Sequence, residues 1–182
     1  MSNKTALLKE LYANISTTGA ISFSSKRLVK KMLSYANFKE AKVIVEMGGG
    51  DGSISRGIVE RMVPGTELFI FEVNKFFCDN LNEEFSQSNI HVICDSAANV
   101  SNYLQGRKAD LIFSSLPFSL IEKEEKDAIY QHSLDALSSN GAMIQICYSY
   151  LLRFEFRKFF KHMTIHFTLT NFPPVFVMIC KK

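Results

Sequence analysis

The chain has 182 residues, 47% of them hydrophobic and 21% charged, and carries a formal net charge of +3. That length buries a core sufficient for one domain without disulfide support, and so small a charge does not by itself imply nucleic acid. Cys78, Cys94, Cys147 and Cys180 show no C-x-x-C or Cys/His ligand spacing, so neither a zinc site nor a disulfide framework is suggested, and reduced cytoplasmic thiols are expected.

The opening segment MSNKTALLKELYANIS is amphipathic. It is too short in apolar run for a secretory signal, and no stretch of the chain reaches membrane-spanning length. A second helix is predicted from Ser24 or Ser25, either of which is a good N-cap, with Leu28, Met32 and Leu33 facing inward. Strands and helices then alternate. KVIVEM is a buried strand, SISRGIVERMV a helix stopped by Pro64-Gly65, ELFIFEV a strand, and NKFFCDNLNEEF a helix opening beside Asn74. They are followed by the strand IHVICD, a short helix around AANVSNYL, the strand ADLIFSSL, the helix EEKDAIYQHSLDAL and the strand GAMIQICYS.

Strands joined by helical crossovers imply an α/β fold with a mostly parallel sheet covered on both faces. MTIHFTLT and VFVMIC, separated only by a turn at NFPP, predict a closing antiparallel hairpin. Residues 1–182 form one domain in this reading, with helices of residues 1–38 over the site and a Rossmann-like core in residues 39–182.

VIVEMGGGDGSIS is the most informative stretch. In an open α/β sheet, ligands bind beyond the carboxyl ends of the strands, and the first strand-to-helix turn gives the closest backbone approach. A dinucleotide fingerprint using Gly48 and Gly50 would require glycine at Ser53. The glycines fall instead at Gly48, Gly50 and Gly52, after Glu46, and Asp51 inside the loop would repel a pyrophosphate. The ammonium and sulfonium of S-adenosylmethionine suit nearby carboxylates. Glu72, ending the second strand, is placed to accept from ribose hydroxyls. Asp95, ending the third, is placed to accept from an adenine amino group, with Ala97 small enough for the ring to lie flat.

EMGGGDG, Glu72 and Asp95 together resemble the class I S-adenosylmethionine-dependent methyltransferases, with their E/D-x-G-x-G-x-G loop and strand-end acids. The resemblance implies a seven-stranded sheet with a reversed last strand. It also implies a cofactor pocket of Glu46, Gly48, Gly50, Asp51, Gly52, Glu72, Asn74, Asp95, Ser96, Ala97 and Ser114. Gly49 stands where the family often has proline, a substitution expected to loosen the turn.

The segment after the fourth strand normally faces the methyl group. Enzymes that methylate base nitrogens carry Asn or Asp, then Pro or Leu, then Pro and an aromatic; here Ser115, Leu116, Pro117 and Phe118 correspond, and serine is the weaker acceptor. TTGAISFSSKRLVKKM, SSLPF, GAMIQICYSY and NFPPVFVMI are similar, in order, to bacterial phospholipid N-methyltransferases, which are related to rRNA adenine dimethylase-like enzymes. That likeness implies methylation of the phosphatidylethanolamine amine by a cytoplasmic enzyme peripheral on the inner face of the membrane. Ser115, Leu116 and Tyr148 are then the catalytic candidates, Tyr148 as wall or hydrogen-bond partner of the headgroup cation. No general base is identified.

Membrane contact is expected from Leu7, Leu8, Leu11 and Ile15 with Lys4 and Lys9, a stripe that equally suits covering the site. Phe156, Phe159 and Phe160 among Arg153, Arg157, Lys158 and Lys161 are compatible with a second such contact, with packing of part of this helix on the sheet as the competing reading. His91, His132, His162 and His166 lack ligand spacing, and no metal is assigned. Two other functions compete. One is methylation of RNA adenine or a small-molecule amine, with RNA disfavoured because a further helical domain is expected of such enzymes. The other is cofactor binding without catalysis.

Overall fold

The computed structural model describes residues 24–170 and 174–182. The chain enters through α1 (Lys26–Leu33), where Ser25 Oγ accepts from Leu28 N–H at 3.1 Å and so satisfies one of the free amides of the first turn. Leu28, Met32 and Leu33, at helical spacing, are essentially fully buried on the sheet. The alternation then runs β1 (Val43–Met47), α2 (Ser53–Val59), β2 (Glu67–Phe71), α3 (Lys75–Glu84), β3 (Ile90–Ile93), a 3₁₀ turn (Ala97–Asn99) leading into α4 (Val100–Leu104), β4 (Ala109–Ser114), α5 (Lys123–Ala136) and β5 (Leu137–Cys147). A 3₁₀ turn (Tyr150–Leu152), α6 (Arg153–Phe159), β6 (His162–Thr168) and β7 (Val175–Lys181) complete it.

The seven strands form one sheet in the order β3-β2-β1-β4-β5-β7-β6. β1 pairs in parallel with β2 and β4, as in Val45 opposite Phe69 and Ile112, and every residue of VIVEM is buried. That explains its unbroken apolar run, since a central parallel strand has no solvated face. β7 is antiparallel to both β5 and β6, so the expected hairpin is present, while its turn at NFPP falls largely outside the described residues. α2 ends at Val59, before the proline expected to stop it.

Two apolar clusters cover the two faces. One contains Val45, Met47, Phe118, Tyr130 and Phe156; the other contains Leu28, Ile44, Ile58, Phe113 and Val177. Phe156 and Phe160 are buried, packed with Tyr130 and Phe118, and Phe159 lies against Tyr130. They belong to the core, so of the two readings of this stretch packing on the sheet holds for these rings and membrane insertion does not. Phe156 on α6 and Phe160 at its C-cap both point inward, while Phe154 stays outside. The stripe at Leu7, Leu8, Leu11 and Ile15 lies outside the described residues. Among those described, no helix is long and apolar enough to cross a membrane.

The expectation of four reduced thiols is also corrected. Cys78 and Cys94, distant in sequence, are joined by a disulfide, whereas Cys147 and Cys180 are free and buried.

Candidate cofactor and acceptor site

The strand order reverses between β1 and β4, because successive connections run from β1 toward β3 on one side and from β4 onward on the other. At this switch point the glycine loop meets the segment after β4. Ser115 N–H donates to Met47 O at 3.1 Å, and Ser115 Oγ donates to Gly48 O at 3.0 Å.

Gly48, Gly50 and Gly52 all have positive φ, at 86°, 50° and 76°, so the G-x-G-x-G spacing is a backbone requirement. Gly49 serves closeness of approach instead. A Cβ there would lie 2.6 Å from Ile70 Cγ2 and 2.7 Å from Leu81 Cδ1, so proline would not fit, and the glycine tightens the turn against β2 and α3 where loosening was expected. Gly49→Ala is expected to cost about 1–3 kcal/mol of stability through overpacking, read as a lower midpoint in urea unfolding at unchanged slope.

Glu46 sits beneath this loop, fully buried in β1. Its Oε2 accepts from Ser55 Oγ at 2.6 Å, and its Oε1 has no hydrogen-bond partner among the described residues. Desolvation pushes its carboxyl up to about 8 against the opposing Ser55 hydrogen bond, with help from neighbouring Glu72 and Asp51. Asp51 itself is exposed and accepts from Ser53 N–H and Oγ, fastening the start of α2.

Glu72 is buried at the end of β2. Its Oε2 accepts from Gly50 N–H at 2.9 Å, and its Oε1 accepts from Val73 and Asn74 N–H, each at 2.8 Å. A carboxylate has about four acceptor positions, so three donors leave room for one more, one fewer than two ribose hydroxyls would use. Asn74 caps α3, its Oδ1 accepting from Phe76 N–H, and is structural in this position.

Asp95 follows β3 and is held by partners the sequence reading did not name. Tyr103 Oη donates to Oδ2 at 2.9 Å, Ser96 N–H to Oδ1 at 2.7 Å, and Asn99 Nδ2 to both oxygens at 3.0 Å. The Tyr103 hydroxyl foremost, then Ser96 N–H and Asn99, hold the Asp95 carboxyl below its usual range, and the same bond pushes the Tyr103 phenol up. Ser96 Oγ caps the following 3₁₀ turn and donates to Glu125 Oε1 at 2.8 Å, while Ala97 is buried. Val73, exposed beside Glu72, adds an apolar wall that no motif announced.

The acceptor side is built differently from expectation. Ser114 is buried at the end of β4, and its Oγ accepts from Leu116 N–H at 3.4 Å. Leu116 O already accepts from Phe118 N–H at 2.9 Å and from Gln145 Nε2 at 3.0 Å, so both lone pairs are taken and it cannot also polarise an amine without rearrangement. Gln145 is buried opposite Ser114 in the sheet. Its Nε2 also donates to Ile146 O, which fixes the amide's orientation and leaves Oε1 without a partner among the described residues. Tyr148 follows β5 and is half exposed.

The carboxyl edge continues beyond the acceptor loop. Cys147 pairs with Phe176 and Thr168 with Val175, so the end of β5, the start of β7 and the end of β6 lie on the same edge as the glycine loop. This part of the edge exposes Tyr148, Tyr150, Leu151, Phe154, Phe167 and Leu169, with Leu151 at 68% and Leu169 at 74%. Phe176 contacts Tyr150 and Phe167, and the Arg153 guanidinium lies 3.7 Å from the Tyr150 ring centre and 4.0 Å from that of Phe154.

No family model matches the chain. An ornithine lipid N-methyltransferase of Singulisphaera acidiphila is 27% identical over 163 residues, covering 87% of this chain and 85% of that protein. Solved structures match its architecture. A TehB-like SAM-dependent methyltransferase from Corynebacterium glutamicum has a TM-score of 0.63 at 11% identity, covering 97% of both chains. The T. thermophilus 16S rRNA methyltransferase RsmC, in complex with AdoMet and guanosine, has a TM-score of 0.69 at 12% identity, covering 91% of this chain and 44% of that one. An rRNA methylase from Streptococcus thermophilus gives 0.61 at 15% identity, with 88% and 99% covered. Together with the strand order and the reversed β7, these likenesses give the chain the class I S-adenosylmethionine-dependent methyltransferase fold.

Proposed function

We propose that this protein is an S-adenosylmethionine-dependent N-methyltransferase whose acceptor is the amine of a membrane lipid. The observation that carries the cofactor half is the unpartnered Glu46 Oε1, buried under three positive-φ glycines and flanked by the Glu72 and Asp95 strand ends. A buried oxygen without a donor suits a ligand ammonium. In this reading Glu46 and the glycine loop hold the methionine end, Glu72 takes one ribose hydroxyl, and Asp95, Ala97 and Val73 bound the adenine. The bound sulfonium supplies an electrophilic methyl group.

The chain's own residues then have to position a neutral amine. Ser115 ties the acceptor loop to the glycine loop through Gly48 O, and Gln145 Nε2 holds Leu116 O in place. Gln145 Oε1 is the free acceptor beside that loop and takes an amine N–H, orienting the nitrogen lone pair toward the methyl donor. Tyr148 walls the headgroup at the exposed end of β5.

The lipid assignment is supported by the aromatic edge from Tyr148 to Leu169, contiguous with the acceptor loop and carrying Arg153, a combination suited to the interface of a bilayer. It is supported also by the ornithine lipid enzyme among the relatives. This edge replaces Phe156 and Phe160 as the contact with the membrane surface, on the cytoplasmic leaflet. The Leu151→Ser, Phe154→Ser double variant is expected to lower partitioning onto phosphatidylethanolamine/phosphatidylglycerol vesicles by about tenfold or more in a sedimentation assay. Methylation of a short-chain, water-soluble phosphatidylethanolamine should persist, since neither residue meets the reacting atoms.

The reading is tested with methyl-labelled S-adenosylmethionine and separate vesicles of phosphatidylethanolamine and ornithine lipid, with total RNA as a third acceptor. Label in either lipid supports it and chooses the headgroup. Label in RNA alone would transfer the assignment to the class of the rRNA methylases that share the fold.

A further inference from the structure

Cys78 and Cys94 lie beside the segments that carry the two strand-end carboxylates, Glu72 and Asp95. Cys78 is in the first turn of α3, buried, with Sγ 3.2 Å from Glu72 O; Cys94 immediately precedes Asp95 and is exposed. The disulfide between them spans a Cα–Cα distance of 5.7 Å, ordinary for such a bond, and ties α3 to the end of β3. Each cysteine is therefore joined through the local backbone to one of the two strand-end carboxylates.

We infer that Cys78–Cys94 is a thiol–disulfide exchange site, open to low-molecular-weight disulfides such as oxidised glutathione, whose oxidation tightens cofactor binding; the inference rests on the cofactor reading above. Exposure makes Cys94 the point of entry. Its thiolate attacks one sulfur of oxidised glutathione, forming a mixed disulfide and expelling one glutathione thiolate. The Cys78 thiolate then attacks the Cys94 sulfur, forming the internal bond and expelling the second. Two protein thiols become one disulfide, one oxidised glutathione becomes two reduced molecules, and the two cysteine protons pass to the expelled thiolates.

The coupling runs through Glu72. In the disulfide the Cys78 sulfur lies 3.2 Å from Glu72 O and has no proton to donate; reduction would exchange the covalent tether for a thiol capable at most of a weak hydrogen bond to that carbonyl. Glu72 is the residue that accepts from Gly50, Val73 and Asn74, so the backbone fixed by the tether is the backbone that shapes the loop. Fixing it before the ligand arrives removes part of the ordering cost of binding. By linkage the ligand must favour the disulfide by the same factor.

The test equilibrates the full chain in glutathione buffers of graded redox ratio. The disulfide is followed by alkylation and mass spectrometry, and S-adenosylhomocysteine affinity is measured by calorimetry on the reduced and oxidised forms. The expected result is reversible formation of Cys78–Cys94 and about fivefold tighter binding to the oxidised form, with the ligand shifting the exchange equilibrium by the same about fivefold factor. Cys94→Ser should bind like the reduced protein in every buffer. Equal affinity of the two forms, or a pair that does not interconvert, overturns the inference. Binding to neither form, while the disulfide interconverts normally, overturns the cofactor reading and this inference with it.

Discussion

Glu72→Gln is expected to weaken S-adenosylhomocysteine binding by about 100-fold, the equivalent of about 3 kcal/mol. The native carboxylate accepts from Gly50, Val73 and Asn74 N–H, and the residue is buried. An amide offers one oxygen in place of two and turns an NH₂ toward at least one N–H that had been satisfied. Because Gly50 is the centre of the glycine loop and sits at positive φ, loss of its bond frees the loop from the end of β2. On the proposed cofactor reading, a ribose hydroxyl would also lose its carboxylate acceptor in the same substitution. Calorimetric titration of the variant measures the loss, and near-native circular dichroism would show that the sheet survives. Unchanged affinity would mean that neither the Glu72 carboxylate nor the loop it fastens contributes to holding the ligand.

Glu46→Gln is expected to abolish a pH dependence that the native protein shows twice. With the buried carboxyl at about 8, above its ordinary value of 4.5, the folded state holds this proton more tightly than the unfolded chain does. The stabilisation is fully present below the ordinary value and is lost as pH rises through about 8. Between those limits the native protein should lose about 1.4 kcal/mol of stability per pH unit from this group, a slope that the glutamine variant lacks. Ligand binding has the opposite sign. A cationic cofactor favours the ionised carboxylate, so affinity for S-adenosylmethionine should rise as pH increases toward about 8, where the ligand-free carboxyl ionises, and level off above it. Binding near pH 7 should release a proton, measurable as a dependence of calorimetric heat on buffer ionisation enthalpy. A pH-independent affinity in the native protein would place the ligand ammonium away from Glu46.

Much of the proposed cofactor half could be read from local patterns, because the features it rests on are local. The uninterrupted apolar run of β1, the G-x-G-x-G spacing and the acids just past β2 and β3 each follow from one strand and the turn behind it. Alternation of strands and helices required crossovers, and two adjacent strands near Lys182 required an antiparallel pair, which fixed the fold class. What local pattern left undecided are contacts between residues far apart in the chain. Ser115 meets Gly48 across 67 positions, Ser96 meets Glu125 across 29, and Gln145 takes Leu116 O across 29. Asn74 carried a cofactor expectation from its place in the motif, yet its side chain is used as a helix cap.

The sequence by itself determined a class I methyltransferase fold and the strand ends where its ligand should lie, because periodicity of burial and backbone freedom at glycine act over a few residues. Only the tertiary structure decided that Glu46 keeps an oxygen without a partner among the described residues, that the Leu116 carbonyl is spent, and that Cys78 reaches Cys94. It also decided that Phe156 and Phe160 belong to the core while Leu151, Phe154, Phe167 and Leu169 face outward. Each of these depends on which surfaces the crossovers bring together, and an apolar residue in a short helix carries no mark of whether its face meets the sheet or the solvent.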